Sequence, residues 1–319
     1  MQQKDKEHNT DTENISLQAS LKSEDTEEWI DIHFTRKVGF LWAKLAIPLG
    51  ITPNMITIAS IFIGAFGSYL FIYNNLWINI IGMLLLTLAN TFDSADGQLA
   101  RLTNNKTRLG RILDGLAGDI WFIIIYLCLV LRLLRYSSFS PYFIWTIAIL
   151  AGISHVLAAA MADYYRNVHL FFVKGKDGSE HDFYDKLKED YKKIKFSSQP
   201  FTKVSLFFYC NYTKTQETLS TKVKSFFKTL LTAYPNKIPT DLSSEIREKN
   251  KKYMPLTNIL QFNTRVIFLF FTIFINQVWL YFIFDIVVMN SILIYLILKE
   301  EKLFYAYDKE IKQINNIKR

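Results

Sequence analysis

Long apolar runs separated by polar connections are the main pattern along this chain. Six of these runs reach or approach the ~20 residues that a helix needs to cross the hydrocarbon core of a bilayer. The pattern predicts an all-α membrane protein with six transmembrane helices. The predicted spans are residues 54–72, 77–100, 109–134, 142–165, 260–275 and 279–298.

The region before the first span divides into a polar tail and an amphipathic helix. Residues 1–27 contain seven acidic and three basic residues, a balance typical of a disordered acidic tail. Between residues 28 and 47, apolar residues recur at helical spacing and predict an N-terminal interfacial helix on the membrane surface. Packing of this face on a protein core would give the same pattern. The face consists of Phe34, Val38, Leu41, Trp42 and Leu45.

A long basic segment, residues 169–255, separates the fourth span from the fifth. It contains 17 Lys or Arg and 10 Asp or Glu residues. A connection of this length predicts a substructure of its own, and helical spacing between Leu219 and Leu231 predicts a cytosolic helical insert. The chain therefore divides into four predicted parts. These are residues 1–27, 28–168, 169–255 and 256–319.

The distribution of charge predicts the orientation of the protein. The loop between the second and third spans and the insert are basic, whereas the connections at 74–75 and 276–277 carry no charge. The positive-inside rule therefore places both termini and the polar second loop on the cytoplasmic side. Arg132 and Arg135 fall on the other side, where long basic side chains can snorkel to the interface.

Composition narrows the classes of partner. The net charge is +8 and half of the residues are hydrophobic, which fits a protein held against anionic lipid. No nucleic-acid-binding motif is visible, so we expect no nucleic-acid partner. Cys128 and Cys210 form no metal-binding or disulfide pattern.

Four aspartates lie in one stretch that begins inside the second span and ends inside the third. Ionised carboxylates at membrane depth are costly and usually serve a function. Asp93 and Asp96 are three residues apart and share one helix face, where Asp114 from the next helix can complete a carboxylate cluster. Hard oxygen ligands suit Mg²⁺ or Mn²⁺, which share coordination with substrate phosphates. The stretch therefore predicts two-metal chemistry on a pyrophosphate.

Glycine and arginine accompany these aspartates. Gly97 allows a nucleotide to approach the backbone closely, and Arg101, Arg108 and Arg111 can hold phosphates or lipid headgroups. Aspartates that merely capped helices at the interface would not require these spaced Gly, Ala and Arg positions.

Other polar residues in the spans are further candidates for substrate binding. Asp163 and Arg166, three residues apart, form either a helix-end ion pair or contacts to an acceptor phosphate. Arg265 either snorkels to the headgroups or acts as a phosphate clamp. We interpret His155 as a hydrogen-bonded packing residue in preference to a cavity residue.

The stretch resembles the CDP-alcohol phosphatidyltransferase family, whose pattern is D-x2-D-G-x2-A-R-x8-G-x3-D-x3-D. The segment ITPNMIT at 51–57 also resembles the approach to that family's first span. The positions that match the pattern are Asp93, Asp96, Gly97, Ala100, Arg101, Gly110 and Asp114.

The resemblance implies a six-helix membrane core and a homodimer with a cytosol-facing polar cavity. It implies two divalent metals on the aspartates and transfer of a phosphatidyl or phospho-alcohol group from a CDP-linked donor to a hydroxyl acceptor, with release of CMP. The same motif serves CDP-diacylglycerol with a small alcohol and diacylglycerol with CDP-ethanolamine or CDP-choline. The helix count favours CDP-diacylglycerol. The residues implied to hold the CDP moiety are Gly97, Ala100, Arg101 and Gly110.

The sequence departs from the family pattern at the fourth aspartate. The family expects it at position 118, but this chain has Gly118 followed by Asp119. A shift of one residue rotates a side chain by about 100° on a regular helix. Gly115 and Gly118 can permit a π-bulge that restores its direction. We therefore predict that Asp119 is both a metal-site carboxylate and the general base on the acceptor hydroxyl.

Two other functions fit part of the pattern. Asn90, Asp93 and Asp96 loosely imitate the Asp-rich helix of UbiA-type prenyltransferases, although no second Asp-rich half-repeat is present. A non-enzymatic, lipid-binding relative is the other alternative, in which the shift at Asp119 has abolished catalysis.

Overall fold

The structure is a computed structural model that describes residues 24–105, 108–175, 181–196 and 199–317. The predicted acidic tail falls mostly outside these ranges. Side chains of residues 24, 108–116, 201 and 315–317 are also outside the description. The described ranges are all-helical and contain no strand, which confirms the predicted all-α class.

The described residues contain thirteen α-helices, which we label α1 to α13 in chain order. A 3₁₀ turn at Leu70–Ile72 follows α2, and π-turns lie at Asp31–Thr35 before α1 and at Phe284–Met289 between α12 and α13. The α-helices are Arg36–Ala46, Pro53–Tyr69, Leu76–Leu102, Arg108–Tyr136, Pro141–Lys174, Tyr184–Lys193, Pro200–Leu219, Thr221–Ala233, Thr240–Lys251, Met254–Ile259, Phe262–Phe274, Trp279–Ile283 and Asn290–Ile317.

Five segments are long and apolar enough to cross a membrane, which makes this a multi-pass membrane protein. The predicted fifth span corresponds to α11, which has 13 residues and is shorter than a straight crossing requires. A turn at Leu260 and Gln261 separates α11 from α10 and accounts for its late start. The five segments are Pro53–Ile72, Leu76–Leu102, Ala117–Tyr136, Pro141–Lys174 and Trp279–Ile314.

The chain folds as two compact units. The first comprises Met1–Gly152 and Arg265–Ile283, and the second comprises Ile153–Thr264 and Phe284–Arg319. The insert therefore belongs to the same unit as the C-terminal helix α13.

Small residues bring the helices of the first unit close together. A Cβ atom built on Gly82 of α3 would lie 2.7 Å from the carbonyl oxygen of Gly67 on α2, so the backbones themselves are in contact. Gly64 of α2 leaves room for the buried indole of Trp121 from α4. The indole Nε1 donates a hydrogen bond to the carbonyl of Ile61 at 3.3 Å. These contacts fix α2 against both α3 and α4.

Arg132 of α4 connects two short turns of the first unit. Its side chain is buried, and Nη2 donates hydrogen bonds to Oδ1 of Asn74 at 2.8 Å and of Asn276 at 3.0 Å. The predicted snorkelling of Arg132 is therefore wrong, because its guanidinium is satisfied inside the protein. Arg135 is exposed.

Helix α1 packs on α3 through its small residues. Gly39, Ala43 and Ala46 are buried at this contact, whereas Leu41 and Leu45 are 59% and 57% exposed. Trp42 of the same predicted face instead packs against Phe92 of α3, with ring centroids 5.0 Å apart. The predicted face is therefore divided between exposed and packed residues, and its place in the membrane interface stays a prediction.

The second unit has its core where the insert meets α13. Phe226 of α8 packs against Phe304 of α13, with ring centroids 4.9 Å apart. At the start of α8 the carboxylate of Glu301 accepts hydrogen bonds from the backbone N–H groups of Lys222 and Val223, at 3.0 and 3.2 Å. A carboxylate at a helix N-terminus satisfies unpaired N–H groups and complements the helix dipole.

Candidate active site

The first half of the motif occupies one side of the C-terminal end of α3. By helical geometry its residues span an arc of about 140° around the axis. Asp96 is 3% exposed, whereas the others are half-buried and therefore remain accessible. The five residues on this side are Asp93, Asp96, Gly97, Ala100 and Arg101.

Thr57 of α2 binds the buried carboxylate of this group. Its hydroxyl donates a hydrogen bond to Oδ2 of Asp96 and also lies 3.1 Å from the carbonyl of Pro53. A buried carboxylate is costly unless hydrogen bonds or a cation compensate its charge. The sequence placed Thr57 in the family-like segment 51–57 but did not predict this contact, because the two residues are 39 positions apart.

Gly97 opens the surface of α3 beside Arg101. A Cβ atom built on Gly97 would lie 3.5 Å from Nη1 of Arg101, an ordinary van der Waals distance. No described neighbour therefore requires glycine here. The absence of a side chain leaves the backbone open next to a guanidinium, an arrangement suited to a phosphate group.

Helix α1 contacts the side of the motif helix that adjoins the motif face. Nη1 of Arg36 donates to Oγ of Ser94 at 3.3 Å, and Nε2 of Gln98 donates to the carbonyl of Arg36 at 3.0 Å. A Cβ atom built on Gly39 would lie 2.8 Å from Oγ of Ser94, so this contact requires glycine. The sequence did not identify Ser94 and Gln98, although both are polar residues inside a predicted span.

The second half of the motif begins α4, and its backbone is a regular α-helix from Arg108 to Tyr136. The predicted π-bulge at Gly115 and Gly118 is therefore wrong. Asp119 is exposed, and a Cβ atom built on Gly118 would meet nothing within 4 Å. The side chains of four predicted residues lie outside the description. These are Arg108, Gly110, Arg111 and Asp114.

The described residues satisfy part of the predicted metal site. Asp93 and Asp96 supply hard oxygen donors one helical turn apart, which fits Mg²⁺ or Mn²⁺. Among the described side chains no group of three or more His, Cys, Asp or Glu gathers. The predicted third ligand, Asp114, is not among those side chains.

The second unit contains the predicted ion pair of α5. Nη2 of Arg166 lies 3.2 Å from Oδ1 of Asp163, and Nη1 donates to Oε1 of Gln261 at 3.3 Å. The hydroxyl of Tyr212 lies 3.4 Å from Oδ2 of Asp163. The ion pair is therefore present, but it lies inside α5 and not at the helix end, because the helix continues to Lys174. Contact with an acceptor phosphate stays a prediction.

Two further candidates are buried. Arg265 is 1% exposed and His155 is 8% exposed. The guanidinium of Arg265 is therefore enclosed by protein, which is inconsistent with snorkelling to the headgroups. Its role as a phosphate clamp stays a prediction.

These features define a class: multi-pass helical membrane proteins with a carboxylate, glycine and arginine site at the end of one span. The sequence profile of the family described as CDP-alcohol phosphatidyltransferase matches residues 50–210, half of the chain. The chain belongs to this family, and the resemblance seen in the motif is confirmed. This membership also argues against the prenyltransferase alternative.

A curated relative shares part of the chain. An uncharacterized protein from Aquifex aeolicus (strain VF5) is 37% identical over 87 residues, which cover 25% of this chain. The match spans 43% of the relative's own length, which is less than half.

Proposed function

We propose that this protein is a metal-dependent phosphotransferase of phospholipid biosynthesis. It transfers a phosphatidyl or phospho-alcohol group from a CDP-linked donor to an alcohol and releases CMP. The observation that carries this proposal is the spacing of the motif on α3, where Asp93, Gly97 and Arg101 share a half-buried face beside the buried Asp96. Membership of the family supports the same reaction.

The residues of the chain divide the work of the reaction. Gly97 and Arg101 admit and hold the pyrophosphate of the donor. Asp119 accepts the proton of the acceptor hydroxyl, whose oxygen then forms a bond to the β-phosphorus of the donor. The anhydride bond of that phosphorus breaks, and CMP leaves with the electron pair. Because Asp119 is exposed on α4, an acceptor hydroxyl can reach it.

The carboxylates of the motif are the proposed ligands for divalent metal. Asp93, Asp96 and Asp114 would hold two Mg²⁺ or Mn²⁺ ions, with Asp119 as a fourth carboxylate. Bound metal would polarise the pyrophosphate and stabilise the charge on the leaving CMP. Thr57 would fix one oxygen of Asp96 and leave the other for the metal.

The membrane setting follows from exposed surfaces and loop charge. We place the motif and both termini on the cytoplasmic side, following the positive-inside rule. The exposed Leu41 and Leu45 of α1 would lie in the lipid interface, while its small residues contact α3. A homodimer is the expected assembly from the family resemblance.

The direct test is CMP release by the purified full-length protein in nanodiscs. A panel of CDP-diacylglycerol, CDP-ethanolamine and CDP-choline donors would be assayed with different alcohols, with Mn²⁺, Mg²⁺ or chelator. We expect metal-dependent CMP release that is abolished in Asp96→Asn. If no donor gave CMP above the Asp96→Asn background, the proposal would be wrong.

The second candidate function is lipid or CDP binding without catalysis. The regular helix through Gly118 favours it, because the displaced Asp119 has no bulge to restore its direction. Binding of Mn²⁺ and CDP without turnover by any donor in the panel would support this candidate.

A further inference from the structure

A groove of about 340 Å³ lies between α5 and the insert helix α7 in the second unit. One wall is Leu157 of α5. The other is a single face of α7, whose residues recur at positions i, i+3, i+4, i+7 and i+8. The α7 residues that line it are Asn211, Lys214, Thr215, Thr218 and Leu219.

The groove is fixed by hydrogen bonds at its side. Nε2 of Gln216 donates to the backbone carbonyl of Ala160 at 2.8 Å, inside the protein. The hydroxyl of Tyr165 on α5 lies 2.5 Å from Oγ of Ser220, directly after α7. Because both contacts are buried, the two walls are held at a defined separation.

Lys214 gives the groove a positive charge. It is exposed, and no described carboxylate forms an ion pair with it. The hydroxyls of Thr215 and Thr218 donate to backbone carbonyls of their own helix, so their oxygens can still accept hydrogen bonds. The ammonium of Lys214 is therefore the main group available to an anionic ligand.

Exposed apolar residues of α5 lie next to the groove. Ile153 and Val156 are 54% and 63% exposed and lie in the turn before Leu157. Leu157 is about 24 Å along α5 from Pro141, close to the ~30 Å thickness of a bilayer's hydrocarbon core. A positive polar groove thus adjoins an apolar membrane face near one edge of the hydrocarbon region.

We propose that this groove binds an anionic phospholipid of the surrounding bilayer. Its phosphate contacts Lys214, and its acyl chains lie along Ile153 and Val156. Charge complementarity and the adjacent apolar face both favour a lipid over a soluble anion. The site is independent of the proposed reaction, because it uses no motif residue.

Native mass spectrometry of the full-length protein tests the proposal. Protein released from nanodiscs of equal phosphatidylglycerol and phosphatidylcholine would be examined for retained lipid. We expect wild type to retain phosphatidylglycerol, and Lys214→Gln to retain about fivefold less, the effect of one lysine near an anionic headgroup. Thr218→Trp, which fills the groove but keeps the charge, should lose retention as well.

Lys186→Gln is the matched control, since Lys186 is an exposed lysine of the same insert on α6. It should retain phosphatidylglycerol as wild type does. Equal retention by wild type and Lys214→Gln would overturn the proposal, as would equal retention of the two lipids by wild type. Displacement of the lipid by millimolar glycerol phosphate would instead identify a soluble phosphate ligand and overturn the assignment to lipid.

Discussion

The hydroxyl of Thr57 on α2 donates a hydrogen bond to the buried carboxylate of Asp96 on α3. Helix α2 therefore orients one of the proposed metal ligands. Replacing Thr57 by Val keeps the volume and removes the donor. Loss of a hydrogen bond to a metal ligand typically lowers metal affinity about 10- to 100-fold. We expect a decrease of this size in the apparent affinity for Mn²⁺, measured from the Mn²⁺ dependence of CMP release and from calorimetric titration.

Thr57→Ser is the control, because it keeps the hydroxyl. It should retain an affinity for Mn²⁺ close to that of wild type. If Thr57→Val and Thr57→Ser bound Mn²⁺ equally well, the hydrogen bond would not contribute to the metal site.

The second prediction tests whether Gly97 is needed for CDP binding and not for helix packing. Gly97→Ala meets only ordinary contacts, and alanine is favoured over glycine in a helix by ~1 kcal/mol. We expect an unchanged or higher melting temperature and a loss of CDP binding. Gly82→Ala is the opposite control, since its Cβ would lie 2.7 Å from the carbonyl of Gly67 and should lower the melting temperature. Full CDP binding by Gly97→Ala would remove the proposed role of this glycine.

The third prediction concerns the displaced fourth aspartate. Removing a general base typically lowers turnover about 10²- to 10⁴-fold, so Asp119→Asn should do so while CDP binding is retained. Position 118 has open space around a Cβ atom, so the double variant Gly118→Asp, Asp119→Gly can be built without a clash. If Asp119 is the base, this variant should also be slow. Turnover above wild type would show that the shift has impaired the enzyme.

Local patterns predicted the elements of the site, whereas contacts between distant residues were not predictable. Apolar periodicity and motif spacing placed Asp93 and Asp96 on one side of a helix at the end of a span, as the structure has them. The bond from Thr57 to Asp96 joins residues 39 positions apart, and no local pattern encodes such a pairing. The π-bulge was inferred from two glycines, but α4 satisfies its backbone hydrogen bonds as a regular helix.

The contacts of Arg132 were also not predictable from the charges of the loops. The positive-inside rule places Arg132 on the non-cytoplasmic side, where a basic residue is unexpected. From the sequence alone, snorkelling of its side chain to the interface was the explanation. Its partners Asn74 and Asn276 are 58 and 144 positions away. The hydrogen bonds of this arginine therefore depend on the three-dimensional proximity of the two turns, which the sequence does not show.

The fourth prediction concerns the stability that Arg132 provides. Replacing it by Met removes the donor to the amide oxygens of Asn74 and Asn276, and hydrogen bonds to charged groups contribute about 1.5–3 kcal/mol. We expect the free energy of unfolding to fall by about 2–4 kcal/mol, measured by denaturant titration in detergent. Arg135→Met is the control, because Arg135 is exposed and should change stability little. Equal effects of the two variants would contradict the role of Arg132.

The fifth prediction concerns the pH dependence of the second unit. The ring of His181 stacks on Phe227 with centroids 4.5 Å apart, and burial lowers the pKa of His181 to about 4. In the unfolded chain histidine has a pKa near ~6.5. As pH falls below this value, the unfolded chain binds a proton that the native protein excludes. The contribution of His181 to stability is therefore fully present above pH ~6.5 and is lost progressively towards pH ~4, by at most about 3 kcal/mol.

Replacing His181 by Phe keeps an aromatic ring against Phe227 and removes the titrating group. We expect the decrease in stability between pH 7 and pH 4.5 to become smaller in this variant, because its folded and unfolded states no longer differ in proton binding at position 181. Hydrogen exchange of α8 at both pH values would measure this effect within the second unit. His33 lies in the first unit, so His33→Gln should leave the hydrogen exchange of α8 as it is in wild type at both pH values. An unchanged decrease in His181→Phe would show that other groups cause the acid sensitivity.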